Sequence, residues 1–157
     1  MLIRKAAEED IGRITVLLRQ VLEIHAAIRP DLLIPGTAKY TPEELAAILN
    51  DESRRSYVAV DESGLVVGYA LCVIRTPRFT TTMIPRRSMF IDDLCVDESR
   101  RGTHVGSELF GFVKNEARRE GCYDVSLCVW EGNDPARAFY DKMGMRPKET
   151  LMELILD

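Results

Sequence analysis

Residues 88–121 read SMFIDDLCV, then DESRRGTH, then VGSELFGFVKNEARREG. The first block, 88–96, is short, apolar and bulky, and predicts a strand. The third repeats Val105, Leu109, Phe112, Val113 and Ala117 at helical spacing and meets Gly121, a stop signal, which predicts one helix. YDVSLCVW, 123–130, follows at once and alternates Val125, Leu127 and Val129 on one side, so it predicts a second strand. Strand, helix and strand joined so closely must form a parallel, right-handed crossover. That unit decides the fold class: mixed α/β.

Upstream, MLIRKA predicts a first strand. Ile11, Ile14, Leu18, Val21, His25 and Ile28 form a helical stripe that Pro30 ends. RPDLLIPGTAKY, 29–40, reads as an irregular loop. Thr41, Pro42 and Glu44 then carry the chemistry of a capped helix start, and that helix ends near Asn50. SYVAV and LVVGYALCVI flank the polar DESG, which is a hairpin, and TPRFTTTMIPRR is a longer loop. Beyond the crossover, DPARAFYDKMG predicts a short helix with Asp134 as cap and Pro135 in its first turn. TLMELIL, 150–156, predicts a last strand. The order is β-α-α-β-β-β-α-β-α-β, largely antiparallel in its front half.

The chain has 157 residues, 46% of them hydrophobic and 29% charged, which suits one globular domain over 1–157 with a real core. The net charge of −4 gives no basic field for nucleic acid and suits a cationic substrate slightly better than an anionic one. Cys72, Cys95, Cys122 and Cys128 form no C-x-x-C pair and read as buried, reduced thiols. His25 and His104 lie far from one another, so no metal site is expected. MLIRKAAEED has no apolar leader, and no run approaches the ~20 apolar residues of a spanning helix. The expectation is a cytoplasmic protein with no membrane partner.

The loop before Val105 aims main-chain N–H groups, reinforced by the helix dipole, at one point where an anion can sit. Gly102 and Gly106 allow close approach, and Arg100 and Arg101 add charge. Neither G-x-x-x-x-G-K-[ST] nor G-x-G-x-x-G is present, so the nucleotide loops those patterns mark are excluded. Arg101-x-x-His104-x-Gly106 after FIDDLCV resembles the pyrophosphate loop of the GNAT superfamily of acyl-CoA-dependent N-acetyltransferases. Asn133-x-x-Ala136-x-x-Phe139-Tyr140-x-x-x-Gly144-Met145 resembles that family's second signature, at the right distance. The specific part of the match is residues 90–145, and the strand order fits along the whole chain.

The departure is His104, where the family usually has glycine. A histidine still supplies its N–H, and the expectation is a negative φ with the imidazole turned away from phosphate. A half-exposed surface histidine and a phosphate donor both remain open.

The resemblance implies a GNAT-like twisted, mostly antiparallel sheet with helices on both faces. It implies acetyl-CoA as co-substrate, no metal, and direct attack by an amine without an acyl-enzyme. Arg101, Gly102, Thr103, His104, Val105 and Gly106 would hold the diphosphate. Main-chain groups of Leu94, Cys95 and Val96 would meet the pantetheine and the thioester oxygen. Asn133 would contact coenzyme A or serve only the turn into the next helix. Tyr140 matches the general acid that protonates the leaving thiolate, although its spacing also fits a core tyrosine. Cys95 beside the thioester reads as a small core residue, with nucleophilic attack as the alternative.

Asp92 resembles the acidic position that some members use as a base, and Asp93 the position nearer the amine in diamine acetyltransferases. Neighbours on a strand face opposite ways, so only one can serve unless a bulge intervenes. A structural alternative pairs them with Arg86 or Arg87. His25-x-x-x-Arg29-Pro30-Asp31 is similar to a run in bacterial GNAT proteins, which would place His25, Arg29 and Asp31 at the acceptor pocket. His25 also lies on the apolar stripe.

The implied function is acetylation of a primary amine on a small molecule or peptide, by a homodimer. The rivals are a non-catalytic acyl-CoA sensor of the same fold and an unrelated α/β domain that binds a phosphate metabolite.

Overall fold

The structure is a computed structural model that describes residues 1–156. Its sheet runs in the order β1 (Leu2–Lys5), β2 (Arg54–Val60), β3 (Val66–Arg75), β4 (Ser88–Val96), β5 (Asp124–Leu127). The first three pairings are antiparallel and β4–β5 is parallel, as the crossover requires. Helices α1 (Ile11–Ile28) and α2 (Pro42–Asn50) cover one face, and α3 (Val105–Arg119) the other. Helix α4 (Asp134–Lys142) follows β5 and packs on the α3 side through Phe139 and Tyr140.

The sheet sorts its residues by the period of two. Along β3, Tyr69 and Leu71 join Ile14, Leu17, Leu18 and Leu45 of α1 and α2, while Ala70 and Cys72 join Leu109, Phe110 and Val113 of α3. Each fully buried leucine among them contributes roughly 1.5–3 kcal/mol. Helix α3 can come close because residue 68 is glycine. A Cβ there would lie 3.1 Å from the Cys95 carbonyl oxygen and 3.4 Å from Val105 Cγ1.

Local chemistry sets the helix ends. Thr41 accepts from the Glu44 N–H while Glu44 Oε2 accepts from the Thr41 N–H at 2.8 Å, the expected capping box. Gly121 stops α3 with φ 69°.

Five expectations are corrected. The buried stripe of α1 is Ile14, Leu17, Leu18, Leu22 and Ala26, rotated from the predicted one, and His25 sits at its edge. In α3, Phe110 is buried and Phe112 only partly. Helix α4 is capped by Asn133, one residue earlier than expected, because its side chain reaches the Ala136 N–H. Residues 150–156 form no strand: no strand of the sheet pairs with them, and all are exposed. Of the cysteines, Cys72 and Cys95 are buried, Cys122 partly so, and Cys128 is exposed where the strand leaves the sheet.

Candidate active site

Strand β4 pairs with β3 along its whole length but with β5 only from Ser88 to Ile91, opposite Asp124–Leu127. Past Ile91 the two parallel strands part. Because pairing alternates along a strand, some main-chain groups of Asp92–Val96 point away from β3 into the gap. A cavity of about 690 Å³ fills the wedge, with β4 on one wall and Cys128, Val129 and Trp130 on the other. It runs from Arg101, Gly102 and Gly106 at one end to Lys39 and His25 at the other. That is the size of a ligand site.

One end is built to bind an anion. Among the described residues, no protein acceptor takes the main-chain N–H groups of Gly102 to Gly106. Gly106 also lies bare against Phe139, where a Cβ would sit 3.4 Å from the ring. Arg101 lines the same end and donates to the Val96 carbonyl at 3.3 Å. Orphaned donors at a helix start beside a guanidinium fit a diphosphate.

The expectation for His104 fails. Its φ is +69°, the only positive φ outside glycine among the described residues. His104 and Gly102, at φ 76°, both take the left-handed conformation in the turn that leads into α3. The left-handed region costs a residue with a Cβ about 1–2 kcal/mol. The N–H that the loop needs is unaffected.

The other end is acidic. A bulge in β4 places Asp93 opposite Leu71 and Ile91 opposite Cys72, leaving Asp92 as the extra residue. The proviso about neighbouring strand residues therefore applies: both carboxylates face one group. Lys39 Nζ donates to the Asp92 carbonyl at 2.9 Å and lies 3.3 Å from Asp92 Oδ1 and 3.7 Å from Asp93 Oδ2.

Asp93 is 7% exposed and accepts from the Tyr69 hydroxyl at 2.9 Å. Burial raises its pKa against the opposing pull of Lys39 and Tyr69. Asp92 accepts from the Tyr40 hydroxyl and lies 3.8 Å from the Arg54 guanidinium. Burial and Asp92 push Tyr40 up to about 12. Arg86 and Arg87 are not the partners of the pair. Arg86 stacks over Tyr123, and Arg87 binds Glu120.

Between the ends stands Tyr140. Asn133 caps α4 through its Oδ1, which accepts the Ala136 N–H at 3.3 Å, and so fixes where the next turn points. Phe139 and Tyr140 meet edge to face at 5.0 Å, with Phe110 behind them. Burial, then the negative charge of Asp93, raises the Tyr140 pKa, so its hydroxyl keeps its proton at neutral pH. Cys95 is buried, and burial pushes its thiol up to about 12, which suits a core residue and not a thiolate nucleophile.

Leu94, Cys95, Val96, Arg101, Gly102, Gly106, Asn133, His25 and Asp93 all line the cavity with Asp92 and Tyr140. Thr103, His104 and Val105 do not. Thr103 donates to the Arg100 carbonyl, and Val105 packs with Ala59 and Val67. Arg29 and Asp31 pair with each other outside the cavity, and Arg29 also lies 5.8 Å from the Trp130 ring. His25 has its pKa lowered by burial and by Lys39. Lys39, Tyr40, Arg54 and Tyr69 were missed. Nothing in local periodicity marks them; only the bulge brings them to the aspartates.

The Acetyltransferase (GNAT) family matches residues 18–145. The chain belongs to that family. GNAT acetyltransferases use acetyl-CoA. The chain is 35% identical over 94 residues to glucosamine 6-phosphate N-acetyltransferase of Trypanosoma brucei brucei, a match spanning 60% of each protein. It is 26% identical over 153 residues to thialysine N-epsilon-acetyltransferase of Bos taurus, covering 92% of this chain and 83% of that one. The crystal structure of a mutant Bacillus halodurans protein superposes with a TM-score of 0.95, at 32% identity over 99% of both chains. These relatives fix the reaction class: this GNAT chain is an acetyltransferase.

Proposed function

We propose that residues 1–157 act as one domain that moves the acetyl group of acetyl-CoA to a primary amine of a small molecule or peptide by direct attack. The observation that carries this is Lys39. The chain's own primary ammonium rests against two carboxylates and a carbonyl of the bulged strand, beside the stretch Leu94–Val96. An acceptor ammonium finds the same partners when Lys39 moves aside. The named acceptors of the two relatives, an aminosugar phosphate and a lysine analogue, are amines as well.

In this reading Arg101 and the N–H groups of Gly102–Gly106 hold the diphosphate. Main-chain groups of Leu94–Val96 face the thioester. Asp93 helps to hold the amine, and Asp92 takes its proton directly or through water. The nitrogen then bonds to the carbonyl carbon, the carbon–sulfur bond breaks, and Tyr140 gives its proton to the departing thiolate. His25 lies near the acceptor, and Arg29 and Asp31 stand at the rim. The protein works as a homodimer in a reducing, cytoplasmic compartment, where its four free cysteines persist.

A thiol-release assay with acetyl-CoA and a panel of amines tests the reading: aminosugars, lysine analogues, polyamines and peptides. Thiol release that depends on one amine class, with that amine acetylated in equal amount, is expected. Coenzyme A binding with no thiol release for any amine overturns it in favour of a sensor. Equal affinity for coenzyme A and adenosine 3′,5′-bisphosphate removes the role of the pantetheine.

A further inference from the structure

The chain has five lysines: Lys5, Lys39, Lys114, Lys142 and Lys148. Lys5, Lys114, Lys142 and Lys148 are exposed on the outer surface, and Lys39 lines the cavity. Its place there is set from both sides. Its chain neighbours Ala38 and Tyr40 pack against the core beneath α1 and α2. The Tyr40 hydroxyl is also tied to Asp92, and Lys39 Nζ lies 5.3 Å from the centre of the Tyr40 ring. With both neighbours turned into the core, Lys39 is the residue of this loop left to face the aspartates.

The carboxylates have other partners. Asp93 accepts from the Tyr69 hydroxyl, and Asp92 from Tyr40 with Arg54 at 3.8 Å. What Lys39 adds is a primary amine inside the site. Its Nζ donates to the Asp92 carbonyl at 2.9 Å, and Asp92 stands two residues, roughly 7 Å, before Leu94 along β4. The side chain is 38% exposed, so its flexible four-carbon stem has room to swing over that distance. Leu94–Val96, Tyr140 and both aspartates line the same cavity. Lys39 thus starts beside a proton acceptor and within a side chain's reach of the stretch that faces the thioester in the proposed function.

We propose that the protein acetylates Lys39 of its own chain, once, with acetyl-CoA as donor. This deepens the proposed function and rests on that reading of the site. Asp92 takes one proton from the Lys39 ammonium. The freed nitrogen bonds to the carbonyl carbon of the thioester, and the carbon–sulfur bond breaks. Tyr140 gives its proton to the departing thiolate, and the second proton lost from the nitrogen restores Tyr140. Asp92 then releases its proton to solvent. The products are Nε-acetylated Lys39, coenzyme A and one proton.

The modification limits itself. An amide carries no charge, so the two carboxylates lose their hold on residue 39, and its nitrogen has no free lone pair for a second attack. One acetyl group per chain is the end point. The acidic pocket is then open to a free amine without competition from the chain's own ammonium. Uncatalysed acetylation has no reason to single out Lys39, because the other four lysines are open to solvent.

Mass spectrometry of the full chain tests it. The protein is treated with a lysine deacetylase, freed of it, and incubated with acetyl-CoA and no added amine. The expected result is one acetyl group per chain, mapped by peptide digestion to Lys39, with a rate constant independent of protein concentration. Tyr140→Phe should slow the uptake about 100-fold, as it slows transfer to a free amine. Lys39→Arg should take up none. Label on Lys5, Lys114, Lys142 or Lys148 as fast as on Lys39 overturns the proposal. So does a rate constant that rises with protein concentration, which means that one copy modifies another. If Lys39→Arg fails to fold, the wild type decides: saturating coenzyme A should block the uptake, and uptake that survives it overturns the proposal. An unmodified Lys39 in a protein that acetylates an added amine defeats this inference and leaves the proposed function standing. No transfer to Lys39 or to any amine defeats both.

Discussion

The two ends of the cavity present opposite charges by different means. At the α3 end the donors are main-chain N–H groups, and Arg101 is the one charged side chain lining it. At the β4 end side chains dominate, with one main-chain carbonyl: two aspartates, a lysine, two tyrosines and an arginine gather around one extra residue in a strand. A main-chain site tolerates substitution, provided the backbone path is kept. A side-chain site fails when one member is removed, because the rest stay buried without a partner.

The sharpest way to break the comparison is Tyr140→Phe, between the two ends. Turnover should fall about 100-fold or more, the usual contribution of a general acid, while the KM for acetyl-CoA changes only a few-fold. Equal turnover in the two proteins would remove Tyr140 as the acid.

Next comes Arg101→Ala. Losing one charged contact to phosphate should weaken coenzyme A binding about 10-fold, as one charge-assisted hydrogen bond predicts, and flatten the salt dependence of Kd. Calorimetric titration at two ionic strengths checks it. A larger loss would mean that the N–H cradle is secondary.

Asp93 gives a pH signature. Its pKa is raised in the fold, so the fold favours its neutral form. The group contributes most to stability below its unfolded value of about 4 and loses that contribution as pH rises through the folded value. Asp93→Asn removes the ionisation. The difference in Tm, variant minus wild type, should therefore increase from pH 4 towards 7. A flat difference would show that Lys39 and Tyr69 fully offset the burial.

The smallest effect belongs to His104→Gly. Glycine relieves the left-handed strain, so stability should rise by up to about 1 kcal/mol in denaturant melts. Coenzyme A binding should stay within a few-fold. A large loss of binding would give the imidazole a role that the main chain does not fill.

The two regions were unequally legible. The anion end could be read from its residues because helix starts, glycines and arginines act locally: FIDDLCV followed by RRGTHVG already implies orphaned donors next to a strand. The left-handed backbone at His104 is not legible in the sequence, because a histidine ordinarily prefers negative φ. The turn into α3 overrides that preference. The acidic end was half legible. Asp92 and Asp93 were singled out, but a strand's period of two would have separated them, and the pattern of a bulge is not written in nine residues. Lys39 and Tyr40 sit in a loop more than fifty residues upstream whose course no periodicity reveals.

The tail teaches the same lesson in reverse. TLMELIL has the composition of a strand, and that preference is real, yet no strand forms in the isolated chain. A strand is a pairing and not a property of seven residues: its hydrogen bonds lie on another piece of main chain. Sequence by itself determined the elements, the crossover that orders the sheet, the capped helices and the anion loop, since each rests on side-chain period or on residues within one turn of each other. Tertiary structure alone decided which carboxylates face one amine, what surrounds them, and that the last apolar stretch stays unpaired, because those depend on contacts between segments far apart in the chain.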